Sequence, residues 1–294
     1  NTTGSGQGDL RGIINSLGYL EELGIDFIWL TPIYPSPQND NGYDVADYCS
    51  INKDFGTMED FEELVEESKK RNIYIMLDMV FNHTSTEHKW FKEALKGNEK
   101  YINYYIFKEG KNGKEPTNWV SKFGGNTWEY VPNLDKYYLH LFDKTQADLN
   151  WENKELREEI YKICNFWLEK GVKGFRLDVI NLISKPEIFE DDYEGDGRRF
   201  YTDGPKIHEH LKELNKNTFG KYNDVITVGE MSSTSVENCI LYSNKEEKEL
   251  DMTFNFHHSP DIANVYIFMK TKKWNASFTN FTLSTFIKII SMMK

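Results

Sequence analysis

Apolar positions along the first third of the chain alternate between helical spacing and short continuous runs. Ile13, Leu17, Leu20 and Leu23 share one helical face, and Gly24 ends that helix. An apolar strand is predicted over residues 25–30. Thr57 opens a second helix, with Asp60 three residues on, a capping-box-like start. Phe61, Leu64 and Val65 mark its buried face, and Arg71 and Asn72 end it before a strand at 73–78. Two strand–helix units in a row predict a parallel sheet, as a closed barrel or a doubly wound sheet.

From Thr84 to Asn150 this rhythm breaks. The stretch is rich in Tyr, Trp, Gly, Asn and Lys, as in Asn118-Trp119, Gly124-Gly125-Asn126 and Tyr137-Tyr138. It is too long for a simple loop and is expected to form a small subdomain on the site face. Its aromatics suit stacking on sugar rings, and equally suit the subdomain's own core. The rhythm resumes with a helix over 152–170, with Leu156, Ile160, Ile163, Phe166 and Trp167 on one face. A strand at 174–178 follows. Asp203-Gly204-Pro205 is expected to start the next helix, with Pro early in it and Ile207, Leu211 and Leu214 as its apolar stripe. A strand at 225–230, a short helix near Ser235 and a strand at 252–256 complete five strands in parallel-type units.

Three of these strands deliver an acid to their carboxyl end: Asp78, Asp178 and Glu230. In a barrel of such units, polar residues at the carboxyl ends of the strands build the site. Two carboxylates there suit glycoside hydrolysis, which needs an acid and a base or nucleophile. Helix capping is the competing reading of Asp178 and Glu230. Arg176 lies two residues before Asp178, so both side chains point to one side of the strand and the cation can orient the acid. A Glu230 that acts as an acid needs a raised pKa. Arg198 and Arg199 are candidates for bidentate contact with a phosphate, and solvated surface arginines are the equal alternative.

Composition narrows the partners. With 39% hydrophobic and 15% aromatic residues, the chain can bury a core. The net charge of -12 argues against nucleic acid and against an anionic membrane surface. No apolar stretch is long enough to span a bilayer. Cys49, Cys164 and Cys239 are far apart, odd in number and lack metal-ligand spacing, so a reducing, cytoplasmic setting is expected, with no metal and no cofactor. No signal peptide is visible, and Asn1 is not an initiator methionine, so further chain is expected upstream. A generic phosphate-binding module is disfavoured, because no Gly-rich phosphate loop is present.

Five segments, in order, resemble the signatures of the α-amylase superfamily of glycoside hydrolases. They are Gly42-Tyr43-Asp44, Asp78-Met79-Val80-Phe81-Asn82-His83, Gln146-Ala147-Asp148-Leu149-Asn150, Gly174-Phe175-Arg176-Leu177-Asp178 and Val228-Gly229-Glu230. The resemblance covers residues 1 to 258. Within the superfamily the chain is similar to the oligo-1,6-glucosidase group, and inside it to phosphotrehalases. The segments carrying this are 82–88, Tyr104-Tyr105-Ile106-Phe107, Lys122-Phe123-Gly124-Gly125 and, above all, residues 195–205.

The resemblance implies an α/β fold, a (β/α)8 TIM barrel with a small subdomain inserted after the third strand. With five strands counted, the first and the last two are expected to be absent from this sequence. The implied division is barrel over 1–83, subdomain over 84–150, barrel over 151–258 and an atypical tail over 259–294. It implies Asp178 as nucleophile and Glu230 as acid and base. Tyr43, Asp44, His83, Arg176 and Asp78 are implied around the bound sugar, Asp78 as a buttress. The implied reaction is retaining hydrolysis of a small phosphorylated disaccharide, trehalose 6-phosphate, to glucose and glucose 6-phosphate. Cleavage of isomaltose-like sugars is the alternative.

Two departures and one oddity qualify that implication. The family places a third acid in a His-Asp dipeptide, and this sequence contains none. The chain by itself is therefore expected to be a catalytically incomplete, weak or inactive member of the family. Of the stretch that resembles a calcium loop in related glucosidases, residues 1–9, only Asp9 is acidic, so no calcium is expected there. From Ile262 to Lys294 there are five Lys but no Asp or Glu, against 47 acids in the whole chain. A change of reading frame near His258 is the favoured account of that tail, and a natural basic terminus is the other.

Overall fold

Asp9 caps helix α1 (Leu10–Glu22), its carboxylate accepting the Gly12 amide at 2.6 Å. Leu10, Leu17 and Leu20 are its buried face, and Gly24 leaves the helix at φ +73°. Strand β1 (Phe27–Leu30) is buried throughout. Helix α2 (Met58–Lys69) opens with a complete capping box, in which Thr57 and Asp60 each bind the other's amide. Two amides that a helix start leaves without partners are thereby satisfied. Asn72, at φ 56°, turns the chain into β2 (Tyr74–Met79). The computed structural model describes residues 2, 4, 6–255 and 266–269. The acid-free tail otherwise lies outside the described residues, as do three positions of the 1–9 stretch.

The segment after β2 holds β3 (His83–Ser85), α3 (Lys89–Leu95), α4 (Glu99–Ile102), β4 (Phe107–Lys108), β5 (Trp128–Val131), β6 (Lys136–Leu139) and β7 (Gln146–Asp148). Strands β3 and β7 pair antiparallel, and β4-β6-β5 form a separate antiparallel sheet. Trp119, Trp128, Leu139 and Leu141 pack with Val179, Leu182 and Tyr201 in a cluster of their own. Trp119 and Trp128 are therefore core residues and present no face to a sugar.

Helix α5 (Lys154–Glu169) leads into β8 (Gly174–Leu177). Then come α6 (Arg198–Tyr201), α7 (Ile207–Asn217), β9 (Ile226–Met231), α8 (Val236–Tyr242), β10 (Met252–Asn255) and β11 (Tyr266–Met269). The main sheet runs β1-β2-β8-β9-β10-β11, parallel through β10 and antiparallel at β11. The five strands expected in parallel units are thus five neighbours in one sheet.

Helix α7 starts at Ile207, two residues after Pro205, which corrects the expectation that Asp203-Gly204-Pro205 begins the helix. Asp203, at φ 50°, is used elsewhere: its carboxylate accepts from Asn181, Asn238, Tyr242 and Thr234. Gly204 runs so close to the preceding loop that a Cβ there would lie 2.0 Å from the Ser184 carbonyl oxygen. Among the described residues no helix is long and apolar enough to cross a membrane.

Candidate active site

Arg176, on β8, is only 5% exposed. Its Nη1 donates to Asp78 Oδ1 at 2.8 Å and to Asp178 Oδ1 at 2.6 Å, and its Nη2 donates to Glu230 Oε2. Strand register produces this meeting. Asp78 stands opposite Arg176 across β2 and β8, and Leu177 stands opposite Gly229 across β8 and β9. Asp178 and Glu230 therefore lie one step further along adjacent strands. The guanidinium carbon lies 5.1 Å from the Trp29 ring centre, 5.6 Å from that of Tyr43 and 5.8 Å from that of Phe254. The second oxygen of Asp78 accepts from Trp29 Nε1 at 3.2 Å and from the Tyr43 hydroxyl at 3.0 Å. Protein donors thus hold both oxygens of Asp78.

One cation among three carboxylates cannot neutralise them all. Burial raises Glu230 to about 8; Arg176 opposes this, and the charges of Asp178 and Asp78 reinforce it. Burial likewise raises Asp78 to about 6, with Arg176 pulling down and Asp178 pushing up. The direction for Glu230 is upward despite its contact with Arg176, because that cation is shared three ways. Burial disfavours the Arg176 charge, yet the surrounding carboxylates outweigh it and keep the guanidinium firmly protonated.

His83 closes the next layer. Its Nδ1 faces Asn82 Nδ2 at 3.2 Å and its Nε2 faces the Tyr43 carbonyl at 3.1 Å. The assignment in which Nε2–H donates to Tyr43 and Nδ1 accepts from Asn82 satisfies both contacts. Gln146 reaches the same carbonyl at 3.3 Å and Asp40 at 2.9 Å. Asp44 is fully buried and accepts from Ser36 Oγ and the Asn39 and Asp40 amides, so it holds the loop that carries Tyr43.

A second buried ion pair lies behind this layer. Lys185 Nζ meets Asp148 Oδ2 at 2.8 Å and donates to Asn82 Oδ1 at 2.6 Å and the Leu182 carbonyl at 2.6 Å. Asp148 also accepts from Asn82 Nδ2 and the Leu141 amide. Burial lowers the Lys185 pKa, and Asp148 opposes that shift. The sequence reading passed over Lys185 and Trp29. The available signal for Lys185 was a lone cation closing the apolar run after Asp178.

The surface arginines are already engaged. Arg198 pairs with Asp196 at 2.9 Å, and Arg199 pairs with Asp192 at 2.9 Å and with Glu194. Gly197, at φ +96°, lies against Trp119, whose ring stacks on Phe200 at 5.6 Å. Residues 192–201 thus form a self-paired loop docked on Trp119, and both arginines face acids of that loop. At the other end of the chain, Asp9 accepts from the Thr2 amide and hydroxyl besides capping α1.

Comparison with known proteins shows the family. The catalytic-domain model of the alpha-amylase family matches residues 1–293. Over 259 residues the chain is 60% identical to the trehalose-6-phosphate hydrolase of Bacillus subtilis, covering 87% of this chain and 46% of that protein. The Escherichia coli trehalose-6-phosphate hydrolase is 57% identical, covering 87% and 46%. The Bacillus cereus oligo-1,6-glucosidase is 52% identical, covering 87% and 47%. The crystal structure of the Bacillus licheniformis trehalose-6-phosphate hydrolase superposes with a TM-score of 0.86 at 62% identity, over 88% of this chain and 47% of that one. The chain thus spans less than half the length of the relatives it matches. It belongs to the alpha-amylase family of glycoside hydrolases, whose catalytic domain is a (β/α)8 barrel.

Proposed function

We propose that the protein carrying this chain hydrolyses trehalose 6-phosphate to glucose and glucose 6-phosphate with retention of configuration. The observation that carries the reading is Arg176 holding Asp178 and Glu230 at neighbouring strand ends while Glu230 is raised to about 8. Adjacent strands lie about 4.8 Å apart, and a retaining pair needs carboxyls about 5–5.5 Å apart. Asp178 attacks the anomeric carbon as the bond to the leaving oxygen breaks, and Glu230 gives that oxygen its proton. Water then attacks the glucosyl–Asp178 ester, and Glu230 takes the proton from it. Arg176 orients both acids, Asp78 buttresses Arg176, and Tyr43, Asp44 and His83 shape the sugar pocket. Residues 84–150 act as a subdomain covering that face of the barrel.

The phosphorylated substrate is supported by relatives named trehalose-6-phosphate hydrolases at 60% and 57% identity. A relative named oligo-1,6-glucosidase at 52% favours isomaltose-like sugars as the second reading. A cytoplasmic setting belongs to the same reading, since three cysteines far apart in sequence, an odd number, suit a reducing compartment. The test is hydrolysis of trehalose 6-phosphate, trehalose and isomaltose by the protein as the cell makes it, with Asp178→Asn and Glu230→Gln alongside. Preference for the phosphorylated sugar, with turnover lost by at least ~10³-fold in both variants, is expected. Preference for isomaltose, or turnover kept in either variant, overturns the reading.

A further inference from the structure

Lys122 is a half-buried cation that pairs with no acid among the described residues. Its Nζ contacts Ser233 Oγ at 3.0 Å and Ser232 Oγ at 3.3 Å, and it lies 5.7 Å from the Tyr201 ring centre. Among the described residues no carboxylate lies within ion-pair distance of it. The acid nearest in influence, Asp196, is paired with Arg198. Burial, reinforced by Arg198, lowers its pKa to about 8. Two neutral hydroxyls and an aromatic ring offset the burial of a charge only in part, which is expensive for a purely structural role.

Its placement gives the charge a purpose. Ser232 and Ser233 follow Glu230 by two and three residues, just beyond the end of β9. A group that protonates the leaving oxygen faces the leaving sugar, so the residues past Glu230 border that sugar. Ser233 is held at φ 57°, and Asn181 fixes Ser232 by bonds to its amide and its carbonyl. On the other side, Phe123 packs on Phe142 at 5.8 Å, and Phe142 packs on His83 at 5.3 Å. Lys122 therefore stands on a rim contiguous with the pocket layer around His83.

We propose that Lys122, with the hydroxyls of Ser232 and Ser233, binds the phosphate of the leaving sugar. This rests on the reading of the site given above. The ammonium has three donors, of which two already face the serine oxygens; the third, and the two hydroxyl protons, remain for phosphate oxygens. The paired arginines Arg198 and Arg199 are thereby excused from that task.

The test compares wild type, Lys122→Gln and Lys122→Arg in the protein as the cell makes it, with folding checked by circular dichroism. The readout is the ratio of kcat/KM for trehalose 6-phosphate to that for trehalose. Lys122→Gln is expected to lower this ratio ~10- to 100-fold, and Lys122→Arg to restore most of it. Titration calorimetry with glucose 6-phosphate, against glucose, is expected to show the same loss without requiring turnover. In wild type the ratio falls as pH rises through about 8, where Lys122 loses its proton. Taking the ratio cancels the titration of Glu230, and the Arg variant removes the fall. If wild type prefers the phosphorylated sugar and Lys122→Gln keeps that preference, this proposal is wrong while the proposed function stands. If wild type shows no preference, the proposed substrate itself is wrong.

Discussion

Around Arg176, three carboxylates share one guanidinium, so full ionisation leaves two negative charges in a buried site. A proton on Glu230 relieves that excess, and in the proposed mechanism it is also the proton the leaving oxygen needs. The consequence for stability has a definite sign. A carboxyl whose pKa is higher in the folded than in the unfolded chain favours folding fully below its unfolded value, near 4.5. That advantage is lost as pH rises to the folded value, about 8. Glu230→Gln keeps a neutral group at every pH. Its melting temperature is therefore expected to exceed that of wild type by more at pH 9 than at pH 5. Thermal unfolding followed by circular dichroism at the two values checks this, and an equal difference at both would refute the raised pKa. The same residue sets an alkaline limb near pH 8 in kcat/KM if it is the acid.

Among the elements, the capping box of α2 and the glycine before α7 show how local chemistry fixes the frame around the site. Thr57→Ala removes one acceptor from the helix start and is expected to destabilise by ~1 kcal/mol in chemical unfolding. Gly204→Ala places a methyl group against the Ser184 carbonyl and forces the 179–185 loop to shift. Because that loop follows directly from Asp178, this variant is expected to lose activity as well as stability; normal kinetics in a folded Gly204→Ala protein would sink that link. Helices α1, α2 and α5, the five parallel strands and the capping box were legible because each rests on local spacing: apolar residues at 3.6-residue intervals, Thr57 three before Asp60, Gly24 after Leu23. The acids Asp78, Asp178 and Glu230 were legible because each ends an apolar run. Their meeting on Arg176 was not, since register between strands is a tertiary property. Pro205 misled because Asp203 is spent on four donors from other segments, which no local pattern reveals. Trp119 was ambiguous because a buried indole and a sugar platform have the same sequence signature.

For the molecule as a whole, the question is what holds the segment between β2 and β8 to the strands and loops that follow it. Hydrophobic packing of Trp119 against Phe200 and Tyr201 is one tie. The Lys185–Asp148 pair is another, joining the loop after β8 to the end of β7 with Asn82 wedged between them. A buried pair of this kind contributes little net stability, but breaking it from one side is costly because the partner is left charged and dry. Lys185→Met is therefore expected to destabilise by about 3–5 kcal/mol. Lys185→Met with Asp148→Asn is expected to recover most of that loss, because asparagine is neutral and still accepts from the Leu141 amide. A double-mutant cycle in urea measures the coupling, and additive effects of the two changes would show that the ion pair does not join the two parts. If it does, Lys185→Met also loosens Asn82, and through it His83 and the Tyr43 carbonyl. KM for the sugar should then rise more than kcat falls, since in the proposed reading this layer shapes the pocket while the pair on Arg176 is left in place.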